Sequence, residues 1–179
     1  SEICQEIGFP KGVLNIVHGY GHKVGAAISS HPDTPVISFT GGTVTGAKIA
    51  EVAAPMFKKL SLELGGKNPN IIFADANFED ALEMAVKASF RNQGQICLCG
   101  SRLFVEESIY QKFKTAFIEK TKQLKVGDPK ENNDLGAVVS KDHMHKILQK
   151  IEIAKKEGGK ILCGGERVIL DGELSEGYY

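Results

Sequence analysis

The chain has 179 residues, 42% of them apolar, and its 22 basic and 22 acidic side chains cancel to a formal net charge of zero. This length and composition support one sizeable core or parts of two smaller ones. The sequence offers no basic stripe for a nucleic acid, and no apolar run approaches the ~20 residues that a membrane-spanning helix needs.

Helical and strand patterns alternate along the sequence, which is typical of an α/β fold with parallel sheets and covering helices. The first part is predicted to contain helix 1–7, strand 13–17, helix 23–30, strand 36–40, helix 44–54 and strand 60–64. The second part is predicted to contain strand 70–74, helix 78–90, strand 102–106, helix 109–124, helix 141–157 and strand 160–163. The pair Gly65 and Gly66 separates the two parts and is the best domain boundary.

The ends of the sequence suggest a piece of a longer protein. Ser1 stands where Met would begin a complete chain, and residues 1–7 have the pattern of the last turns of a helix that ends at Gly8 and Pro10. The final residues, 177–179, carry no element that would cap the fold.

The segment FTGGTVTG, residues 39–46, leads from a predicted strand through a glycine turn into a predicted helix. Backbone N–H groups at the start of a helix, together with its dipole, favour an anion such as a dinucleotide pyrophosphate. The segment does not match the GxGxxG dinucleotide fingerprint. The alternative is a tight turn that needs glycine only for its backbone angles.

The segment LELGGK, residues 62–67, places Glu63 within a mostly apolar strand. Burial would make its carboxylate a better proton acceptor and so a candidate general base. The alternation in LSLEL instead favours an outward-facing residue that shares a strand face with Ser61. Both interpretations remain open on the pattern alone.

The segment FRNQGQICLCGSR, residues 90–102, places Cys97 after a polar, glycine-containing loop at the end of a predicted helix. Such loops often carry reactive groups, and a thiolate nucleophile needs a helix N-terminus or cations near it. Metal binding by Cys97 and Cys99 is one alternative, although no second cysteine pair follows as zinc sites require. A buried structural thiol is the other, more so for Cys99, while Cys4 and Cys163 have the character of small apolar residues.

Together these three segments resemble the cofactor-phosphate loop, the glutamate signature and the cysteine signature of the aldehyde dehydrogenase superfamily, in its order and at about its spacing. GFPKGVLNIV and KVGDPKENNDLGAVVS resemble connecting segments of that family, so the resemblance covers essentially the whole chain. It implies that residues 1–64 are the C-terminal half of a Rossmann-like NAD(P)-binding domain. Residues 65–179 would then be the N-terminal part of the α/β catalytic domain that carries the cysteine.

The resemblance implies oxidation of a small-molecule aldehyde to a carboxylic acid, with NAD, or else NADP, as the cofactor. Cys97 would be the nucleophile that forms a thiohemiacetal and then a thioester, and Glu63 the base that activates the hydrolytic water. Residues that would contact the cofactor are Phe39, Thr40, Gly41, Gly42, Thr43, Gly46, Leu64, Gly65 and Gly66. Gly42 stands where the family often has Ser, so one phosphate-contacting hydroxyl is missing, and Arg102 would anchor the cysteine loop.

The cysteine segment, with Ile96 before Cys97 and Leu98 after it, resembles the branch of the family that oxidises muconic semialdehydes. The family further implies a homodimer or homotetramer, without nucleic-acid or membrane partners. Reduced thiols fit the cytoplasm, or else the mitochondrial matrix. Other segments on which the family's activity depends, including its oxyanion asparagine, are not in this sequence. The 179-residue chain is therefore expected to be inactive by itself.

Two rival functions stay within the same superfamily. A CoA-acylating enzyme would pass the acyl group to CoA rather than to water, but that branch tends to lack the glutamate found here as Glu63. A non-catalytic structural relative would be marked by loss of the cysteine or of the glutamate. The sequence has both Cys97 and Glu63, which favours the hydrolytic enzyme.

Overall fold

A computed structural model describes residues 2–179. The chain folds as two compact units that divide between Gly65 and Gly66, and each unit contains one two-stranded sheet. Within the described residues, no helix has both the length and the apolar character needed to cross a lipid bilayer.

The first unit is organised around a strand–helix–strand motif. Its elements are α1 (Glu2–Glu6), a π-helical turn (Gly21–Gly25), α2 (Ala26–Ser30), β1 (Val36–Gly41), α3 (Thr43–Ala53), a 3₁₀ turn (Ala54–Met56) and β2 (Lys59–Leu64). Strands β1 and β2 are parallel, with Val36 opposite Lys59 and Gly41 opposite Leu64. Helix α3 makes the crossover that parallel strands require.

The predicted strand at residues 13–17 is wrong. The segment forms turns and irregular backbone, and Val13, Leu14, Ile16 and Val17 are each more than half exposed. An apolar run becomes a strand only when a neighbouring strand accepts its backbone hydrogen bonds, and β1 and β2 pair only with each other. The predicted helix 23–30 is also shorter than expected, because a π-helical turn replaces its first residues. The helix predicted at 1–7 is found as α1, with Ser1 outside the described residues.

The second unit repeats the strand–helix–strand order and adds two further helices. Its elements are β3 (Pro69–Ile72), α4 (Phe78–Phe90), β4 (Arg102–Val105), α5 (Tyr110–Lys122) and α6 (Lys141–Lys156), with 3₁₀ turns at Arg91–Gly94, Glu107–Ile109, Pro129–Glu131 and Gly172–Leu174. Strands β3 and β4 are parallel, with Pro69 opposite Arg102. The predicted strand at residues 160–163 is wrong, because that segment is irregular and has no strand partner among the described residues.

Helix α4 is found with the predicted bounds, because local signals fix both its ends and its buried face. Asn77 caps it by accepting a hydrogen bond from the Asp80 N–H at 3.4 Å. Its buried face joins Ile72 of β3 and Phe113 of α5 in the core of the unit. Phe113 is fully buried, and its ring meets Phe78 edge to face at a centroid distance of 5.7 Å. This packing holds α4 against the core of the unit, and the cysteine loop departs from the C-terminal end of the helix.

Glu106 ties together the ends of β3 and β4. Its carboxylate accepts hydrogen bonds from the Ala74 N–H at 2.8 Å and from the Ser108 hydroxyl at 2.9 Å. The Ala74 bond, followed by the Ser108 bond, lowers the pKa of the Glu106 carboxyl from its ordinary value of 4.5. The ionised form therefore contributes to holding the two parallel strands in register.

Candidate active site

The glycine turn after β1 presents the N-terminus of α3. Gly42 is the N-cap residue, with an extended backbone, and it makes no side-chain cap. Its carbonyl accepts the N–H groups of Thr45 and Gly46, both at 3.0 Å. The earlier N–H groups of such a first turn have no partner within a helix. The arrangement is therefore chemically suited to an anion at the end of β1.

Two glycines of this turn are explained by packing within the first unit. A Cβ atom at Gly46 would lie 2.7 Å from Leu64 Cδ2, so glycine lets α3 approach β2 closely. A Cβ atom at Gly41 would lie 2.5 Å from Cζ of Phe39, whose ring covers that position. At Gly42 and Gly65, by contrast, an added Cβ would meet nothing within 4 Å. The space beside the turn is thus open at these two positions.

The strand register brings the glycine turn and the glutamate segment side by side. Thr40 is the register partner of Glu63, and the Gly65 N–H donates to the Gly41 carbonyl at 3.3 Å. Both segments therefore lie at the carboxyl ends of neighbouring parallel strands, where ligands of open α/β sheets commonly bind. The Glu63 side chain is exposed, which agrees with the outward-facing interpretation of LSLEL and not with burial.

The cysteine loop leaves α4 through an unusual backbone turn. Asn92, Gln93 and Gly94 have φ values of 52°, 55° and 69°, all in the left-handed region. For a residue other than glycine this conformation costs about 1–3 kcal/mol, and such strain clusters at functional sites. A Cβ at Gly94 would also lie 3.0 Å from the Ser89 carbonyl oxygen. The three residues together redirect the chain into the segment that contains Cys97.

The two cysteines of the loop have opposite surroundings. Cys97 is exposed, whereas Cys99 is buried, with its Sγ 3.9 Å from the Arg91 carbonyl oxygen. A solvated thiol can meet a substrate and a buried one cannot, so Cys97 is the available nucleophile of the pair. Among residues 2–179, no group of three or more His, Cys, Asp or Glu side chains could hold a metal ion.

Side chains at the starts of the paired strands β3 and β4 hold the base of the loop. The Asn68 amide nitrogen Nδ2 lies 2.7 Å from the Cys97 carbonyl oxygen and 3.1 Å from that of Cys99. Arg102 Nε donates to the Lys67 carbonyl at 2.8 Å, which agrees with an anchoring role. Sequence reasoning missed Asn68. Its partners are 29 and 31 residues away along the chain, so no local pattern could have revealed the contact.

The predicted site residues therefore fall into two groups. Phe39, Thr40, Gly41, Gly42, Thr43, Gly46, Glu63, Leu64 and Gly65 belong to the first unit. Gly66 opens the second unit, which carries Cys97. The strand register places Thr40 and Gly41 beside Glu63 and Leu64 in the first group, and the Asn68 and Arg102 hydrogen bonds hold the loop of the second.

A family model for the aldehyde dehydrogenase family matches residues 1–179 of the chain. The chain belongs to the aldehyde dehydrogenase family. The resemblance inferred from the three sequence segments is thereby confirmed.

Individual aldehyde dehydrogenases show how far the similarity extends. A 2-aminomuconic semialdehyde dehydrogenase from Danio rerio is 53% identical over 164 residues, which are 91% of this chain and 34% of the relative. Its Homo sapiens counterpart is 46% identical, over 99% of this chain and 37% of the relative. The chain thus spans about a third of the length of these curated relatives.

A solved structure gives the corresponding comparison of folds. Betaine aldehyde dehydrogenase from Staphylococcus aureus, in complex with NAD+, matches 95% of this chain with a TM-score of 0.87 and 43% identity, over 34% of that structure's chain. The α/β fold with parallel strands and covering helices, predicted as part of a Rossmann-like architecture, is confirmed by this similarity.

Proposed function

We propose that the whole protein to which this chain belongs is a hydrolytic NAD(P)-dependent aldehyde dehydrogenase, with Cys97 as its nucleophile and Glu63 as its general base. The observation that carries the proposal is the exposed Cys97 thiol on a strained, anchored loop in a chain of the aldehyde dehydrogenase family. Because the chain spans about a third of its relatives' length, we infer that it does not turn over by itself.

In the proposed mechanism the Cys97 thiolate adds to the aldehyde carbonyl carbon, which forms a C–S bond and a thiohemiacetal oxyanion. The backbone N–H of Cys97 is a donor for that oxyanion. NAD(P)+, when bound, would supply the hydride acceptor, and loss of a hydride from the carbon would leave a thioester on Cys97. Glu63 then takes a proton from water, whose oxygen attacks the thioester, and the C–S bond breaks to release the carboxylic acid and the Cys97 thiolate.

The glycine turn is proposed as the site of the cofactor pyrophosphate. Its support is the N-terminus of α3 together with the open space at Gly42 and Gly65, where an added Cβ would meet nothing within 4 Å. Helix N–H groups and the helix dipole favour an anion there. NAD is favoured as the cofactor because the similar Staphylococcus aureus enzyme was solved in complex with NAD+, and NADP is the alternative for the assay.

A semialdehyde that carries a carboxylate is the proposed substrate class. The support is the similarity to enzymes named 2-aminomuconic semialdehyde dehydrogenase, at 46–53% identity. A 4-trimethylaminobutyraldehyde dehydrogenase from Danio rerio is 45% identical over the whole chain, which makes a cationic aldehyde the natural comparison substrate. The two candidates differ in charge, so an assay panel separates them.

The test is NADH formation by the whole protein with anionic, neutral and cationic aldehydes. Cys97→Ala is expected to abolish turnover, while Cys99→Ala, at the buried cysteine two positions on, tests for a general effect on the loop. Glu63→Gln is expected to slow steady turnover by about 10²-fold, the scale of a lost general base, while leaving a first burst of NADH. Glu51→Gln, at an exposed position on α3, is the matched control.

Turnover that survives in Cys97→Ala would refute the nucleophile assignment. Acyl transfer that requires added CoA would instead identify the acylating enzyme, and no NADH or NADPH from any aldehyde would favour a non-catalytic relative. Loss of the burst together with steady turnover in Glu63→Gln would show that Glu63 acts before hydrolysis.

A further inference from the structure

We infer that Asn68 is a positioning residue for the cysteine loop, acting through the backbone on both sides of Leu98. This inference rests on the proposed role of Cys97 as nucleophile. Both partners of the Asn68 amide are carbonyl oxygens, those of Cys97 at 2.7 Å and Cys99 at 3.1 Å. Because carbonyls only accept, the amide must turn its NH₂ group towards them, and each of its two hydrogens has one partner.

The Asn68 amide holds the peptide plane that follows Cys97, and it shares the Cys99 carbonyl with the Ser101 N–H, which donates to that oxygen at 2.9 Å. The side-chain direction of Cys97 depends on the planes on both sides of its Cα, so a fixed carbonyl restricts where its thiol can lie. The Leu98 side chain is 82% exposed, so packing of that side chain does little to hold the middle of the segment. The Asn68 amide therefore restrains the backbone at Leu98, where the side chain does not.

Asn68 is itself held in place by the sheet. Its carbonyl accepts the Arg102 N–H at 3.1 Å. Asn68 directly precedes Pro69, the first residue of β3, and Arg102 is the first residue of β4 and the register partner of Pro69. Gly100, which follows Cys99, donates its N–H to the Ala88 carbonyl of α4 at 3.0 Å. The loop is thus fixed at one end to a helix and at its centre to the start of a strand, a rigid support of the kind that precise catalytic geometry needs.

The substitution that isolates this effect is Asn68→Asp. It keeps the shape of the side chain but replaces a double donor with oxygens that face two carbonyls, so both hydrogen bonds are lost. Asn68→Ser, which retains one donor on a shorter side chain, should fall between wild type and Asn68→Asp. The matched control is Asn133→Asp, because Asn133 also donates its amide to a backbone carbonyl, that of Asp128 at 2.8 Å, within the same unit.

The experiment is performed on the whole protein with aldehyde and NAD+. Asn68→Asp is expected to slow the first-turnover burst of NADH by about 10–100-fold, the scale of a small misplacement of a reacting group, with little change in KM. Asn133→Asp should leave the burst rate near wild type. Hydrogen exchange of the peptide covering residues 95–101 should accelerate in Asn68→Asp, while the exchange of α5 stays the same.

A burst rate in Asn68→Asp within about twofold of wild type would overturn the inference. So would a slower burst accompanied by equally faster exchange of α4 and α5, because that pattern indicates general loss of structure. If Asn68→Asp does not fold, the inference depends on Asn68→Ser, for which a wild-type burst rate would again overturn it. Either failure leaves the proposed function standing so long as Cys97→Ala abolishes turnover, and turnover in Cys97→Ala would refute the function itself.

Discussion

Gly46 of α3 and Leu64 of β2 lie so close together that a Cβ atom at position 46 would come within 2.7 Å of Leu64 Cδ2. Alanine is normally preferred to glycine inside a helix by about 1 kcal/mol, so glycine here has a steric cause. The contact joins the helix that follows the glycine turn to the strand that carries Glu63. A side chain added at position 46 would therefore disturb the packing of α3 against β2.

Gly46→Ala is expected to destabilise the first unit. Overpacking costs about 1–3 kcal/mol, which outweighs the gain in helix propensity. In a Leu64→Ala background the same change should become neutral or stabilising, because the clash is gone. Urea denaturation of the four proteins of this cycle measures the coupling. Gly25→Ala is the control, since Gly25 has helical angles and an added Cβ would meet nothing within 4 Å. A loss of stability in Gly25→Ala equal to that in Gly46→Ala would contradict the steric explanation.

Gly94→Ala is expected to be more damaging than Gly158→Ala. Both glycines have positive φ, 69° and 92°, so both changes carry a backbone cost of roughly 1–2 kcal/mol. Only at Gly94 would the new Cβ also lie 3.0 Å from a backbone oxygen, that of Ser89. The free energies of unfolding from urea titration provide the comparison. Equal losses in the two variants would mean that the contact with Ser89 relaxes without cost.

The native chain is expected to react with iodoacetamide at Cys97 well before Cys99. The first thiol is exposed and the second is buried, and alkylation requires access to the sulfur. Peptide mass spectrometry after short exposures gives the order of modification. In concentrated urea both cysteines should react at similar rates. Early modification of Cys99 under native conditions would show that the cysteine loop opens readily.

Glu106→Ala is expected to lower the melting temperature at neutral pH, with a difference that shrinks in acid. The Ala74 N–H, and after it the Ser108 hydroxyl, hold the pKa of Glu106 below its ordinary value of 4.5. Its contribution to stability is therefore fully present above that value and is lost as the pH falls through the lowered pKa. Melting curves between pH 7 and about pH 3, the range in which carboxylates titrate, test this. Glu107→Ala, at the next exposed position, is the control, and a constant difference across the range would rule out the ionised carboxylate as the cause.

Local signals in the sequence predict the bounds of a helix or strand well where its ends are marked by a cap or a turn. Helix α4 was predicted with its observed bounds because Asn77 caps it and its apolar residues recur at helical spacing. Strands β1 and β2 were predicted to within one residue at each end, since glycines or polar turns bound them. The wrong strands, at residues 13–17 and 160–163, had apolar composition but lacked a partner, and pairing cannot be read from composition.

The sequence predicts which residue types form the candidate site, but not the hydrogen bonds and backbone turn that hold the cysteine loop. Glycines, glutamate and cysteine could be identified from the segments that contain them. The hydrogen bonds of Asn68 could not be identified in this way, because they join Asn68 to residues 29 and 31 positions away. The sequence also gives no sign of the left-handed turn at Asn92 and Gln93, since neither residue is a glycine whose presence would indicate positive φ.

The two-stranded sheets also affect how the isolated chain should behave in solution. Every strand of the described residues pairs on one side only, so each presents a row of backbone groups that could pair with another molecule. The exposed apolar side chains of residues 13–17 add a hydrophobic surface to the first unit that favours self-association. We expect the purified chain to self-associate as its concentration rises, and Ile16→Lys to weaken that association. Sedimentation velocity across a concentration series would show it, and a monomer at all concentrations would mean that these edges are protected in solution.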